Sequence, residues 1–191
     1  MSANHHHHFS YTEKERRKRQ NPESILSMAG LKEGMCFIDS GCNDGFFTLP
    51  AARMVGRSGK VYAIDIDEEA LDRLKTKLDN EGIQNTTIIN KPSEKVMIDT
   101  NIADLIFFGI VLHDFYDPSL VLNNSKQMLK DNGLIFDYDW QKIDTPLGPP
   151  FSKRFSQEHV KELADQAGLT IVSSNTIGNE FYGIALSKPK V

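Results

Sequence analysis

Short apolar segments alternate with longer amphipathic segments along most of this 191-residue chain, and this order constrains the fold more than any other feature. Strands that alternate with helices form βαβ units, which require a parallel sheet with helices on both faces. The last two strand-like segments have so short a connection that they must pair antiparallel. We therefore predict an α/β fold with a mostly parallel seven-stranded sheet that ends in an antiparallel hairpin. The predicted strands lie near 35–38, 60–65, 86–89, 103–110, 134–139, 169–176 and 181–187.

Composition restricts the partners and the compartment. The 22 basic and 26 acidic side chains give a net charge of −4, without the broad positive surface typical of nucleic-acid binders. Cys36 and Cys42 suit a reduced compartment and are too few for a disulfide framework or a four-Cys zinc site, so we predict no metal. The chain has neither an apolar run long enough to cross a membrane nor the apolar core of a secretory signal. We expect a soluble, cytoplasmic protein.

The first 20 residues differ from the rest. His5–His8 are either a purification tag or a native metal-binding tract. The stretch from Glu13 to Arg19 holds five basic and two acidic side chains, which leaves the remaining chain at −7. This stretch is either a nucleic-acid or membrane arm or a solvated helix of mixed charge. We predict a tag or flexible basic arm over 1–20 and a single domain over 21–191.

The loop Asp39–Gly45 follows the first predicted strand and leads into a helix, where open α/β sheets bind ligands. A dinucleotide fingerprint starting at Gly41 needs glycine at its third and sixth positions, which are Asn43 and Phe46. Asp44 also stands where a pyrophosphate needs bare amides. No Gly-Lys-Ser/Thr follows, so a P-loop is excluded as well.

A ligand with a cationic centre and no phosphate fits this acidic loop, and S-adenosylmethionine has a sulfonium, an ammonium and a ribose diol. Asp65 ends the second predicted strand, where its carboxylate can accept hydrogen bonds from both ribose hydroxyls. Ser93 and Glu94 follow the third strand and can meet the adenine amino group.

Four segments together resemble the class I S-adenosylmethionine-dependent methyltransferases. Residues 39–45 resemble their acid-x-Gly-x-Gly-x-Gly motif, with Asn43 for the middle glycine, and Asp65 matches their strand-two acid. Residues 109–114 and 129–134 resemble the type 11 group, which includes quinone-biosynthesis methyltransferases. Asparagine tolerates the left-handed backbone that this turn needs. The resemblance implies a Rossmann-like fold, S-adenosylmethionine as cofactor, S-adenosylhomocysteine as product, and cofactor contacts from Asp39, Gly41, Asn43, Gly45, Asp65, Ile66, Ser93, Glu94 and Gly109.

The predicted reaction is methyl transfer by in-line displacement, to which an enzyme contributes mainly proximity and alignment. His113 follows the fourth strand near the expected methyl position and is the candidate general base; alternatively it only packs there. Asp139 and Trp140 end the fifth strand and are candidate substrate contacts. The short segment after that strand and the acidic body favour a small-molecule acceptor. Two alternatives stay open: an RNA methyltransferase that uses the basic arm, and a non-catalytic S-adenosylmethionine-binding protein.

Overall fold

The structure, a computed structural model, describes residues 13–190. The predicted tag at His5–His8 lies outside the described residues. The described α-helices are α1 (Glu13–Arg19), α2 (Pro22–Met28), α3 (Thr48–Val55), α4 (Glu68–Asn80), α5 (Pro118–Met128) and α6 (Gln157–Gln166), and two short 3-10 helices span Ser93–Lys95 and Leu112–Asp114. The strands are β1 (Cys36–Ser40), β2 (Lys60–Asp65), β3 (Thr86–Asn90), β4 (Ala103–Gly109), β5 (Leu129–Trp140), β6 (Thr170–Ile177) and β7 (Phe181–Ser187).

The seven strands form one sheet in the order β3-β2-β1-β4-β5-β7-β6. Strands β1 to β5 pair in parallel, and β7 pairs antiparallel with both β5 and β6. The predicted fold class is therefore confirmed. The chain order reverses between β1 and β4, so the carboxyl ends of these two strands form the topological switch point where such sheets bind ligands.

Helices cover both faces of the sheet because alternate strand residues point to opposite sides. On one face, α2 and α3 pack on Phe37, Phe107 and Phe136. On the other face, α5 and α6 pack on Ile38, Ile106 and other strand residues. Polar side chains that cap helices fix where two of them start. Asp67 accepts a hydrogen bond from Ala70 N at α4, and Ser156 accepts one from His159 N at α6.

One predicted boundary is wrong. The sequence predicted a strand over 134–139, with the turn-forming residues Asn132-Gly133 before it, whereas β5 begins at Leu129. Leu129 pairs with Ala103 and Leu134 with Leu105, so the residues between them bulge out of the ladder. Gly133 serves a close approach rather than a turn, because a Cβ there would lie 2.8 Å from the Ala103 carbonyl oxygen.

Helix α1 lies within the stretch predicted as a flexible arm and contacts the domain. The Arg17 guanidinium pairs with Glu23 at 3.1 Å, and Arg19 pairs with Glu180 at 3.0 Å. Arg16 stacks on the ring of Phe46, at 3.8 Å from its centroid. Among residues 13–190, no helix has the length and apolar character needed to cross a membrane.

Candidate active site

The loop after β1 turns sharply through three left-handed residues, Gly41 (φ 81°), Asn43 (φ 48°) and Gly45 (φ 90°). The left-handed backbone predicted for Asn43 is confirmed. The Gly41 amide donates to the Ile64 carbonyl at 2.8 Å, and the Asn43 amide donates to Asp65 Oδ2 at 2.7 Å. Hydrogen bonds to the end of β2 therefore hold the loop in place.

The two glycines also allow close packing. A Cβ on Gly41 would collide with the side chain of Val111, which follows β4, and a Cβ on Gly45 would collide with Leu74 of α4. The loop therefore packs closely against α4 and the segment after β4, and a larger residue at Gly41 or Gly45 would force a neighbouring side chain to move.

Asp39 is a buried carboxylate at the base of this loop. The Thr48 hydroxyl donates to its Oδ2 at 2.6 Å. Burial raises the pKa of Asp39 to about 7, and the nearby charge of Asp65 raises it further, while the Thr48 hydrogen bond opposes both. Asp39 therefore changes charge near neutral pH.

Asp39 makes the stability of the protein depend on pH. The folded carboxyl holds its proton up to about pH 7. The unfolded carboxyl ionises near pH 3.9, so the contribution of Asp39 to stability falls as pH rises between these values. We expect Asp39→Asn to remove a fall on the order of 4 kcal/mol between pH ~4 and ~7. Urea unfolding across this range measures it, and an unchanged pH slope in the variant would contradict the assignment.

The structure brings the other predicted cofactor residues to the same edge of the sheet. Ile66 follows β2 and is 68% exposed. Ser93 is buried and shares a 2.8 Å hydrogen bond with Ser40 at the end of β1. Glu94 instead accepts from the amides of Tyr116 and Asp117, so its carboxylate supports the segment after β4. Gly109 ends β4 against the ring of Phe47.

This edge fits a cationic cofactor with a ribose diol. Asp65 already accepts one backbone hydrogen bond on each oxygen, from Asn43 and Asp67, and each oxygen retains a lone pair for a hydroxyl. The exposed Ile66 offers an apolar surface beside it. Asp44 is paired with Lys77 at 2.9 Å. The donor set therefore suits S-adenosylmethionine, and the free lone pairs of Asp65 match the two hydroxyls of its ribose.

His113 and Asp139 form a buried pair at the ends of β4 and β5. His113 Nδ1 lies 2.6 Å from Asp139 Oδ2, and the His113 side chain is 2% exposed. Burial lowers the pKa of His113, but the hydrogen bond and charge of Asp139, with Asp114 and Asp137, raise it more, so that the net pKa is raised. Since Nδ1 donates to the carboxylate, Nε2 is the proton acceptor of the neutral ring. Nε2 lies 3.5 Å from Asp114 Oδ2.

Asp137 lies two residues before Asp139 on the same face of β5 and is fully buried. Its carboxyl and the neighbouring hydroxyl of Tyr182 find no hydrogen-bond partner of standard geometry within residues 13–190. Burial, and then the charge of Asp139, raise the pKa of Asp137 well above its usual range. Burial and the charge of Asp139 thus both disfavour the ionised form of Asp137.

The segment after β5 folds around one arginine. The buried guanidinium of Arg154 donates to the carbonyl oxygens of Pro149, Gln141, Ile143 and Leu147. This segment covers Trp140, which is 6% exposed. The structure thus places Trp140 beneath the segment rather than at an open surface. Phe155 follows the segment, with its ring centroid 6.5 Å from that of His113.

Some features near the site were not predicted. Arg16, Asp137, Tyr182 and Arg154 are among them, and so is Ile110, a β-branched residue with φ 61° directly after β4. The alternation of buried strand residues could have placed Asp137 beside Asp139.

Within residues 13–190, no three His, Cys, Asp or Glu side chains lie close enough to hold a metal ion. A solvent-open cavity of about 400 Å³ lies at the far end of the sheet, around Asp104 and Lys130.

The strand order, the acids that end β1 and β2, and the glycine loop define the class I S-adenosylmethionine-dependent methyltransferases. A family model described as a methyltransferase domain matches residues 31–185, and the chain belongs to this family. The structure is similar to that of an S-adenosylmethionine-dependent methyltransferase from Aquifex aeolicus. Their TM-score is 0.82 at 28% identity, covering 93% of this chain and 98% of that one.

A putative type 11 methyltransferase from Sulfolobus solfataricus is also similar, with a TM-score of 0.74 at 26% identity over 90% of this chain and 93% of that one. The ubiquinone/menaquinone biosynthesis C-methyltransferase UbiE of Marinomonas sp. is 27% identical over 123 residues, 64% of this chain and 49% of the relative. A probable cobalt-precorrin-6B C(15)-methyltransferase of Saccharolobus solfataricus is 33% identical over 86 residues, 44% and 43% of the two chains. The chain spans about half the length of the curated relatives it matches.

Proposed function

We propose that this chain transfers a methyl group from S-adenosylmethionine to a small-molecule acceptor, and that His113 accepts the acceptor's proton. One observation carries the proposal. The His113–Asp139 pair, joined at 2.6 Å, lies at the ends of β4 and β5, and β4 adjoins the strand that carries the Asp39–Gly45 loop. Cofactor-binding and proton-accepting groups therefore share one edge of the sheet. In this proposal, residues 21–191 act as one cofactor-binding domain.

The residues divide the work as follows. Asp65 and the backbone of 41–45 hold the cofactor, while Asp39 fixes the start of α3 through Thr48. When bound, S-adenosylmethionine supplies an electrophilic methyl group, whose bond to sulfur breaks as its bond to the acceptor forms, releasing S-adenosylhomocysteine. Asp139 holds the imidazole in the tautomer that leaves Nε2 free to take the acceptor's proton. Asp114, held by Lys153 at 3.2 Å, is the side chain that must turn aside for an acceptor to reach Nε2.

Two observations support a small acceptor, and a third bears on the compartment. The segment between β5 and α6 is held tightly by Arg154, which leaves no separate recognition domain within residues 13–190. The curated relatives have names that describe methylation of carbon in quinones and in a cobalt-precorrin. Both cysteines are free thiols, which supports a reaction in the cytoplasm.

The basic residues of α1 suggest RNA as an alternative acceptor. Arg17 and Arg19 are paired with the acids Glu23 and Glu180 of the domain, which reduces the charge left for phosphates. A gel shift with tRNA and rRNA fragments separates the two acceptor classes. Salt-sensitive binding with methylation of the fragment would replace the small-molecule proposal.

Titration calorimetry with S-adenosylmethionine, S-adenosylhomocysteine and NAD tests the cofactor. We expect the first two to bind and NAD to give no heat. Asp65→Ala should weaken S-adenosylmethionine at least about tenfold, because it removes the acceptors for the ribose and loosens Asn43. Asp67→Ala, two residues on, is the matched control: it costs helix stability of about 1 kcal/mol through the lost α4 cap but should leave affinity unchanged.

The outcomes separate three possibilities. Binding of NAD without the other two ligands would overturn the proposal. Equal affinities in Asp65→Ala and wild type would mean that Asp65 does not hold the ribose. Tight S-adenosylmethionine binding, with no methyl transfer in a broad acceptor screen, would favour the non-catalytic alternative.

A further inference from the structure

Arg16 of α1 places a cation directly beside the cofactor loop. Its guanidinium carbon lies 3.8 Å from the centroid of Phe46 and 5.9 Å from that of Phe47. Phe46 follows Gly45, the last residue of the loop, so the cation is stacked on the loop's own aromatic side chain. Arg16 precedes residues 31–185, so the family match says nothing about its role.

The guanidinium of Arg16 has hydrogen-bond donors that no neighbour within residues 13–190 accepts. Its Nε donates to Gln20 at 3.2 Å, and its two terminal nitrogens have no hydrogen-bond partner within residues 13–190. Burial lowers its pKa, while Asp44 and then Tyr138 and Asp39 oppose this from a distance. Asp44 is engaged with Lys77, and Asp39 with Thr48. Burying a guanidinium whose N–H donors are unpaired costs free energy, unless an anion accepts hydrogen bonds from them.

The proposed cofactor carries one anionic group, the carboxylate of its methionine part. The acidic side chains of this edge, Asp39, Asp44 and Asp65, suit its sulfonium and ammonium but repel that carboxylate. Two other basic side chains near the loop are already paired. Lys77 binds the side chain and carbonyl of Asp44, and Arg17, 5.7 Å from the Phe46 ring centroid, is paired with Glu13 and Glu23. Arg16 has the planar pair of donors that matches a carboxylate.

We infer that Arg16 binds the carboxylate of S-adenosylmethionine and thereby closes α1 over the cofactor. This inference rests on the proposed function. The other contacts of α1 include the partly exposed ion pairs Arg17–Glu23 and Arg19–Glu180, a kind of contact that contributes at most about 1 kcal/mol each. Helix α1 can therefore open to admit the cofactor, and the bond from Arg16 to the carboxylate favours the closed position.

Calorimetry with S-adenosylmethionine and its decarboxylated form isolates the carboxylate, because the two ligands differ only in that group. We expect Arg16→Gln to weaken S-adenosylmethionine about tenfold and to leave the decarboxylated form within about twofold of wild type. Arg16→Lys should give an intermediate loss, since it keeps the charge and loses the paired donors. Lys18→Gln, at an exposed position on the same helix, is the matched control and should leave both affinities unchanged. Thermal unfolding of each variant checks that it is folded.

Several results would overturn the inference. Equal weakening of both ligands by Arg16→Gln would give Arg16 a purely structural role. Unchanged affinity for both ligands, with a raised KM for the acceptor, would assign the cation to the acceptor instead. If wild-type protein binds neither ligand, the proposed function fails, whereas binding of both with no selective effect of Arg16 leaves that function intact and removes this inference alone.

Discussion

We expect His113→Ala to lower kcat by about 10²–10⁴-fold, because it removes the group that accepts the acceptor's proton. Affinity for S-adenosylmethionine should stay within about twofold of wild type, since His113 is not among the residues that we assign to the cofactor. Radiolabelled methyl transfer measures kcat once a screen has supplied an acceptor, and calorimetry measures affinity. A kcat close to wild type would mean that His113 only packs at the end of β4.

The pH profile of kcat/KM distinguishes a general base from a structural ion pair. A base must be neutral, so the rate should rise with pH through the pKa of His113, which Asp139, Asp114 and Asp137 hold above its ordinary value. Asp139→Asn removes the carboxylate whose hydrogen bond and charge raise the pKa of His113. The burial of His113, which lowers its pKa, remains. We therefore expect the inflection to move to lower pH while the plateau rate falls, because the ring loses its fixed tautomer. An inflection that stays in place would contradict this role for the pair.

Much of the fold follows from the order of the strands and helices, since the apolar runs were long enough to form strands and four of the described helices, α2, α3, α4 and α6, end within two residues of a glycine. The start of β5 could not be predicted in the same way. Asn132-Gly133 has the chemistry of a turn, and only the pairing of Leu129 with Ala103 shows that the chain remains in the sheet. A tertiary contact decided that boundary, and no local signal encodes it.

The candidate site likewise has features that the sequence predicts and features that depend on tertiary packing. Asp39, Asp65 and Asp139 lie at the ends of strands, and His113 follows β4 by four residues. Parallel strands bring their carboxyl ends to one edge, so the sequence predicts that these side chains lie close together. The role of Arg16 depends on how α1 lies on Phe46, which the mixed charge of residues 13–19 does not encode. The raised pKa of Asp137 depends on burial, which its sequence neighbours reveal only once the face of β5 is known.

Gly41 provides the second large expected effect, because two costs combine at that position. An alanine there must adopt φ 81°, which costs about 1–2 kcal/mol, and its Cβ must displace the stiff side chain of Val111, which costs about 1–3 kcal/mol more. We expect Gly41→Ala to lower the free energy of unfolding by about 3 kcal/mol and to abolish measurable binding of S-adenosylmethionine. Urea unfolding and calorimetry test the two consequences separately.

Two further variants separate the costs at Gly41. Gly82 has a similar left-handed backbone, φ 65°, but a Cβ there meets nothing within 4 Å, so Gly82→Ala should lose only about 1 kcal/mol and keep cofactor binding. Adding Val111→Ala to Gly41→Ala removes the methyl groups in the way and should restore part of the stability, despite the cavity that Val111→Ala leaves by itself. If Gly41→Ala and Gly82→Ala lose equal stability, Val111 does not confine the loop. The cofactor edge would then be held by the hydrogen bonds to Ile64 and Asp65 alone.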